Sequence, residues 1–327
     1  MADKSINRSV ISWAFYDWAN SAYATAVLSG FFPLFFKQFW ANDLTAEEST
    51  WQLGLANSLA SLCIVLLAPV LGSIADTGGT KKRFLFFFTF LGVLMCAALF
   101  WVAEGEWLCA IVIYILATIG FSGGVTFSDS LLVHVSEHRR YDMHSALGYA
   151  LGYLGGGLAF AFCVWIVQMP DYFGLDDATL AVRLSFIIVA CWWMLFAIPV
   201  FLFVEEPAGL RRTEGTFSVI AGGIRRLYTT FQNIRRLKVV FTFLLAYWLY
   251  IDGVDTIVRM AVDYGLSLNI NSDDLIIALL ITQFVGFPSA LVFGRIGERI
   301  GPKNGIFIAL FVYMIVVIWA SQMNSAK

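Results

Sequence analysis

Nine stretches of this chain stay apolar for close to twenty residues, the length of helix that crosses the hydrocarbon core of a bilayer. In lipid every backbone N–H and C=O must find its partner within its own segment, so runs of this kind fold as helices. Of 327 residues, 59% are hydrophobic and only 13% charged, with mean hydropathy +0.77. A soluble domain is nearer half apolar and a quarter charged. The expectation is an all-α polytopic membrane protein embedded in a lipid bilayer, with helices at 10–36, 51–74, 84–102, 107–133, 145–167, 182–203, 239–262, 275–293 and 305–320. The first run is too long and too aromatic for a cleaved signal and reads as a retained span. Cys63, Cys96, Cys109, Cys163 and Cys191 all fall inside apolar runs, without zinc spacing, and read as small buried hydrophobes.

The polar connections carry the organisation. Between helices 2 and 3 stands Gly72-Ser73-Ile74-Ala75-Asp76-Thr77-Gly78-Gly79-Thr80-Lys81-Lys82-Arg83. A second version, Gly294-Arg295-Ile296-Gly297-Glu298-Arg299-Ile300-Gly301-Pro302-Lys303, starts 222 residues later. Each opens on glycine, with an acid in fifth place (Asp76, Glu298), a glycine in eighth (Gly79, Gly301) and a lysine in tenth (Lys81, Lys303). That spacing suits two homologous halves rather than a solenoid. Residues 205–238 are basic and partly polar. Phe217, Ile220, Ile224, Leu227, Phe231 and Ile234 recur there at helical spacing, flanked by Arg225, Arg226, Arg235 and Arg236. This predicts an amphipathic helix, either on the membrane surface or packed on the loops. The domains are then 1–204, a six-helix bundle; 205–238, a linker; and 239–327, a partial second bundle. Lysines and arginines crowd the side that holds the N-terminus, both glycine motifs and the linker, while the other side receives only Lys37, Arg183 and Lys327. By the positive-inside rule the N-terminus is cytoplasmic, and the membrane is expected to be a bacterial inner membrane.

With both motifs placed, the chain resembles the major facilitator superfamily, whose transporters carry such a loop between helices 2 and 3 and a weaker copy between helices 8 and 9. Trp13-Ala14-Phe15-Tyr16-Asp17-Trp18-Ala19-Asn20-Ser21-Ala22-Tyr23 is similar to the opening of the branch that contains the autophagy-related vacuolar amino-acid effluxers and their bacterial relatives. The helix-5 run from Ser145 to Gly156 and the helix-7 run from Phe243 to Gly253 are similar to the same branch. In helix 4, Phe127-Ser128-Asp129-Ser130-Leu131-Leu132-Val133 departs from branch relatives, which tend to carry an asparagine and a proline. The superfamily usually has twelve spans. Nine are read here, so the resemblance implies a C-terminally incomplete second bundle.

Charges inside spans are the sharpest functional clues, because each costs about 2.5–3.5 kcal/mol at a helix centre on insertion scales. Asp17 and Asn20 share a face of helix 1, with Tyr16 and Tyr23 nearby; Asp252, Asp255 and Arg259 share a face of helix 7. These helices correspond in the two halves and line the central cavity of the implied fold. With Asp129 in helix 4 they are the candidates for binding solute or protons. The alternatives are that Asp255 and Arg259 satisfy each other as a buried pair, and that the tyrosines only pack. Gly72, Asp76, Gly79, Lys81, Lys82, Gly294, Glu298, Gly301 and Lys303 are candidate gating positions, where glycines allow tight turns and the acids meet helix N-termini or basic groups. Gly120, Gly123 and Gly124 in helix 4, and Gly148, Gly152 and Gly156 in helix 5, are small residues at close-packing spacing.

The expected function is secondary transport of a small solute by alternating access. Amino acids are the cargo the resemblance implies, export is a candidate direction and protons a candidate coupling ion. No phosphate-binding glycine loop supports ATP-driven transport, and no nucleophile–base constellation supports an enzyme. Neither a cofactor, a metal nor a nucleic-acid partner is expected. The rival reading is a truncated carrier that persists as a non-transporting membrane scaffold or sensor.

Overall fold

The computed structural model describes residues 7–206, 229, 232–233 and 237–322, without the side chains of 68–70, 73–74, 76–78 and 302. The amphipathic stripe read over 217–234, with its flanking arginines, and the Asp76 carboxylate lie outside the described residues. The regular elements among the described residues are all helices. We number the rods α1 to α9. α1 begins as Arg8–Ala22 and continues unbroken through Tyr23–Phe31, Phe32–Phe35 and Phe36–Trp40. α2 is Ala46–Gly78, α3 Lys81–Ala98, α4 Trp107–Val135, α5 Tyr141–Gln168, α6 Ala178–Phe203, α7 Lys238–Ser267, α8 Ser272–Ile300 and α9 Pro302–Ala320. The eight rods α2 to α9 contain stretches long and apolar enough to cross a membrane. The chain is a multi-pass integral membrane protein.

Local chemistry sets the helix ends. Asn7 caps α1 by accepting from Val10 N at 2.9 Å. Thr45 and Glu48 form a reciprocal capping box on α2, with Thr45 N to Glu48 Oε2 at 3.0 Å and Glu48 N to Thr45 Oγ1 at 3.3 Å. Asp177 caps α6 and Asn271 caps α8. The Tyr23–Phe31 and Phe36–Trp40 segments of α1 are wound as π-helix. Pro33 removes a backbone donor between them, and wider turns accommodate its ring.

The two motif connections are much tighter than the sequence implied. Expected as a loop over 72–83, the first is helical up to Gly78, and only Gly79 and Thr80 separate α2 from α3. Gly79 is left-handed at φ +59, and its N–H returns to Ala75 O. Gly301, at φ +81, stands alone between α8 and Pro302, the first residue of α9. The eighth-place glycine of each copy thus makes the reversal, a conformation that a side chain would strain. The helices outrun their apolar runs because Lys81, Lys82 and Arg83 are tolerated in a first turn, where charge reaches the interface.

Short turns make successive helices antiparallel. One end of the rods holds Arg8, Gly79, Ser136, Val204 and Gly301 and is called the linker end. The far end holds Trp40, Gly105 and Asn269. The best-buried core lies among α1 to α6, around Trp13, Tyr16, Tyr23, Trp40, Tyr114 and Trp193, each no more than 2% exposed. Glycines set its spacing, as their pattern suggested. A Cβ at Gly120 would collide with the Gly92 backbone of α3, and one at Gly92 with the Trp193 ring. Overpacking a tight core costs about 1–3 kcal/mol, and a backbone obstacle cannot rotate away. Gly120→Leu is therefore expected to lower the melting temperature of the detergent-solubilised protein by several degrees; an unchanged melt contradicts this packing.

α5 and α8 lie against each other over most of their length. Gly294 meets Ala146 Cβ near the linker end, Gly286 supports the Tyr153 ring, and Gly157 faces Gln283. Gln168 donates to Asp273 at 3.0 Å at the far end. α1 meets α7 mainly beyond Tyr23, towards the far end.

Candidate functional site between α1 and α7

Asp17 sits on the linker-end half of α1. Trp13, one turn earlier, donates from Nε1 to Ser128 O of α4 at 2.7 Å and ties α1 beside Asp129. Gly148 of α5 supplies the remaining space, since any side chain there would collide with Asp17 Oδ2. Asp17 lies within electrostatic reach of Asp129. Among the described residues neither has a lysine or arginine partner. Asp17 is half-buried and Asp129 exposed. Tyr149, 65% exposed on α5, lies within electrostatic reach of both, and of Tyr247 on α7. Two carboxylates within electrostatic reach and without a cation repel when both are ionised, and a proton or a cationic group near them relieves that repulsion.

Tyr16 and Tyr23 are placed differently. Both are fully buried behind this wall. Tyr16 pairs with Thr89 Oγ1 at 2.9 Å, and Tyr23 with Thr118 Oγ1 at 3.0 Å. Gly124 makes room for the Tyr16 hydroxyl. On a helix packed from several sides, the residue next to Asp17 turns about 100° away from it, so Tyr16 enters the bundle core. Both are buried here, which agrees with the packing alternative. Asn20 is also buried, and its Nδ2 has no partner among the described residues.

A second cluster lies on α7. Asp252, Asp255 and Arg259 share a face as read from their spacing, and Asp263 continues it by one more turn. Asp252 is exposed. Asp255 Oδ2 accepts from Arg259 Nη2 at 3.3 Å, yet the Asp255 side chain is 62% exposed while that of Arg259 is 13% exposed. This is a partly open pair rather than a sealed one. Arg259 Nη1 is buried and has no partner among the described residues. Leaving such a donor unsatisfied costs about 1–3 kcal/mol, so its position calls for a ligand or a second arrangement. The guanidinium charge reaches Tyr23 and Tyr114 in the first six helices. Tyr114 donates to Asn57 Oδ1 at 2.9 Å, and Asn57 contacts Met260 Sδ at 3.8 Å, one residue from Arg259.

At the far end Lys37 Nζ lies 2.7 Å from Asp263 Oδ1, with side-chain exposures of 12% and 2%. Lys37 also approaches Ser267 Oγ at 3.5 Å, and Gln38 Nε2 donates to Ser272 Oγ at 3.3 Å. These contacts join α1 to the start of the second set of helices. Sequence reasoning placed Lys37 on the sparsely charged side but missed its pairing. The signal was Asp263 itself, at i+4 from Arg259.

Of the motif residues, Gly294 meets Ala146 of the other half, whereas Lys81 and Lys82 form hydrogen bonds within the first. Glu206, just past α6, accepts from the backbone N–H groups of Lys81 and Lys82, and so caps α3. Lys82 Nζ in return donates to Phe201 O at 2.8 Å and Val204 O at 2.7 Å, the open end of α6. Glu298 and Lys303 are exposed on either side of Gly301, and the space beside Gly72 is open.

Helices that meet across a polar space and are joined at one end have the architecture of a membrane transporter. The family model described as "Vacuole effluxer Atg22 like" matches residues 53–141 and 133–323. The MFS-type transporter YxiO of Bacillus subtilis is 36% identical over 324 residues, which is 98% of this chain and 75% of that protein. Autophagy-related protein 22 of Yarrowia lipolytica is 28% identical over 186 residues, 51% of this chain and 31% of that one. The chain spans three quarters of the Bacillus relative and under a third of the yeast one. It belongs to the Atg22-like vacuole effluxer family, within the major facilitator superfamily of membrane transporters.

Proposed function

We propose that the chain is a secondary active carrier that moves a small polar or zwitterionic solute by alternating access, with proton movement linked to the Asp17–Asp129 pair. The observation that carries this reading is the pair itself: Asp17 lies within electrostatic reach of Asp129, Tyr149 is within reach of both, and neither carboxylate has a basic partner among the described residues. Arg259, with one buried donor unpartnered, is the complementary seat for a carboxylate. A solute bearing both an ammonium and a carboxylate group suits these two charges, and amino acids are the cargo tested first. Export as the direction draws on the effluxer name of the matching family.

In this reading residues 1–204 and 239–327 are the two moving parts, and 205–238 connects them. The linker end faces the cytoplasm of a bacterium and the far end faces outward, in keeping with the lysine and arginine distribution. The arrangement with Lys37 and Asp263 paired is the inward-open one, and the Gly79 and Gly301 reversals hold helix ends that move with each part. The test is a panel of labelled amino acids in proteoliposomes carrying the full chain. Gradient-driven movement of at least one, absent from protein-free vesicles, is expected. No movement of any labelled solute under either polarity of pH gradient would overturn the proposal.

A further inference from the structure

A groove of about 430 Å³ opens on the outer surface between α3 and α6, at the linker end and away from the α1–α7 space. Its walls are apolar and face lipid: Phe86, Ile198 and Leu202 are 51%, 43% and 66% exposed. The Phe86 and Phe201 rings meet edge to face at 5.5 Å and form its floor. Its lining on α6 runs from Met194 to Leu202, eight residues apart, so the groove extends roughly 12 Å along that helix.

Its mouth is cationic. Arg83 is exposed, and its guanidinium has no hydrogen bond or ion pair among the described residues. The Lys82 ammonium is held in place by Phe201 O and Val204 O, which leaves one of its three N–H donors. Glu206 already occupies the α3 N-terminus, so the backbone there offers an anion nothing further, and any anion at the mouth must be held by these two side chains. An apolar trough at membrane depth with two positive charges at the interface matches an amphiphile with an anionic head, and water-soluble anions gain nothing from the trough.

We propose that this groove is a binding site for an anionic phospholipid of the leaflet at the linker end, with the phosphate between Arg83 and Lys82 and one acyl chain along Phe86, Ile198 and Leu202. Glu206, Lys82 and the lipid would then meet where the linker leaves α6, so lipid charge acts on the α3–α6 junction. This proposal is independent of which solute is carried.

The test measures the melting temperature of the purified full chain in detergent, titrated with phosphatidylglycerol, with phosphatidylcholine of the same acyl chains, or with inorganic phosphate. Phosphatidylglycerol is expected to stabilise at lower concentration than phosphatidylcholine, with phosphate alone ineffective. Arg83→Ala is expected to weaken the phosphatidylglycerol response about fivefold, the worth of one basic residue near a charged surface. Arg83→Lys should retain most of it, and Arg83 is exposed, so neither change threatens the fold. Equal responses to the two lipids, a matching response to phosphate, or full selectivity in Arg83→Ala would each overturn the proposal.

Discussion

Replacing Asp263 with alanine is expected to separate α1 from α7 at the far end. Lys37 is 12% exposed and pairs with Asp263 at 2.7 Å, so the substitution strands a nearly buried ammonium. Removing one partner of a buried ion pair costs about 3–5 kcal/mol, because the remaining charge loses its compensation. A carrier escapes that cost by adopting the arrangement in which Lys37 meets water, so the equilibrium shifts by a factor on the order of 100 or more. Cysteines at Gln38 and Ser272, whose side chains now meet at 3.3 Å, report the separation. Their crosslinking yield should be high in the parent chain and low with Asp263→Ala. The double change Lys37→Met with Asp263→Leu removes both charges and should restore crosslinking, since apolar replacement of a buried pair is often neutral. Undiminished crosslinking in Asp263→Ala would mean that the pair is incidental to how the two parts meet.

The second large effect is expected at Asp17 and Asp129. Asparagine keeps the size of each side chain and removes its ability to ionise. Asp17→Asn removes one of the two carboxylates, so the repulsion that a proton or ammonium relieves is gone. Proton-driven flux should fall by more than an order of magnitude in Asp17→Asn, while solute exchange without a gradient persists at a reduced rate. Asp129→Asn should lose less, because Asp129 is the more exposed of the two and water screens it better. The fold is expected to tolerate both, since neither carboxylate holds a hydrogen bond or ion pair among the described residues. Equal coupling in the parent and both variants would remove the pair from the mechanism.

The helices were legible from the sequence because lipid permits little else for apolar runs of this length. The two turns were legible too: Gly79 and Gly301, matched by their place in a motif, both adopt positive φ at helix reversals. The connection between α2 and α3 was less so. A cationic triplet reads as loop in one dimension, whereas Lys81, Lys82 and Arg83 occupy the first turn of α3, with Glu206 from beyond α6 completing that turn. Spacing put Asp17 with Asn20 on one face of α1 and Asp252 with Asp255 and Arg259 on one face of α7, but could not say how many sides of α1 are covered, and Tyr16 and Tyr23 are buried for that reason. The seat of Asp17 depends on Gly148, a contact between two helices that no pattern along one helix contains. Lys37 and Asp263 are 226 positions apart in the chain, and only the packing of α1 against α7 brings them together.

Proton movement induced by solute is the behaviour that an Asp17-linked carrier must show. The full chain is reconstituted in vesicles with a pH-sensitive dye inside and no imposed gradient, and the solute identified by the labelled panel is added outside. The account predicts a change in internal pH that follows solute entry in the parent protein and is absent in Asp17→Asn, although labelled solute still exchanges there. Solute entry without any change in internal pH in the parent protein, or an identical pH change in Asp17→Asn, would contradict it.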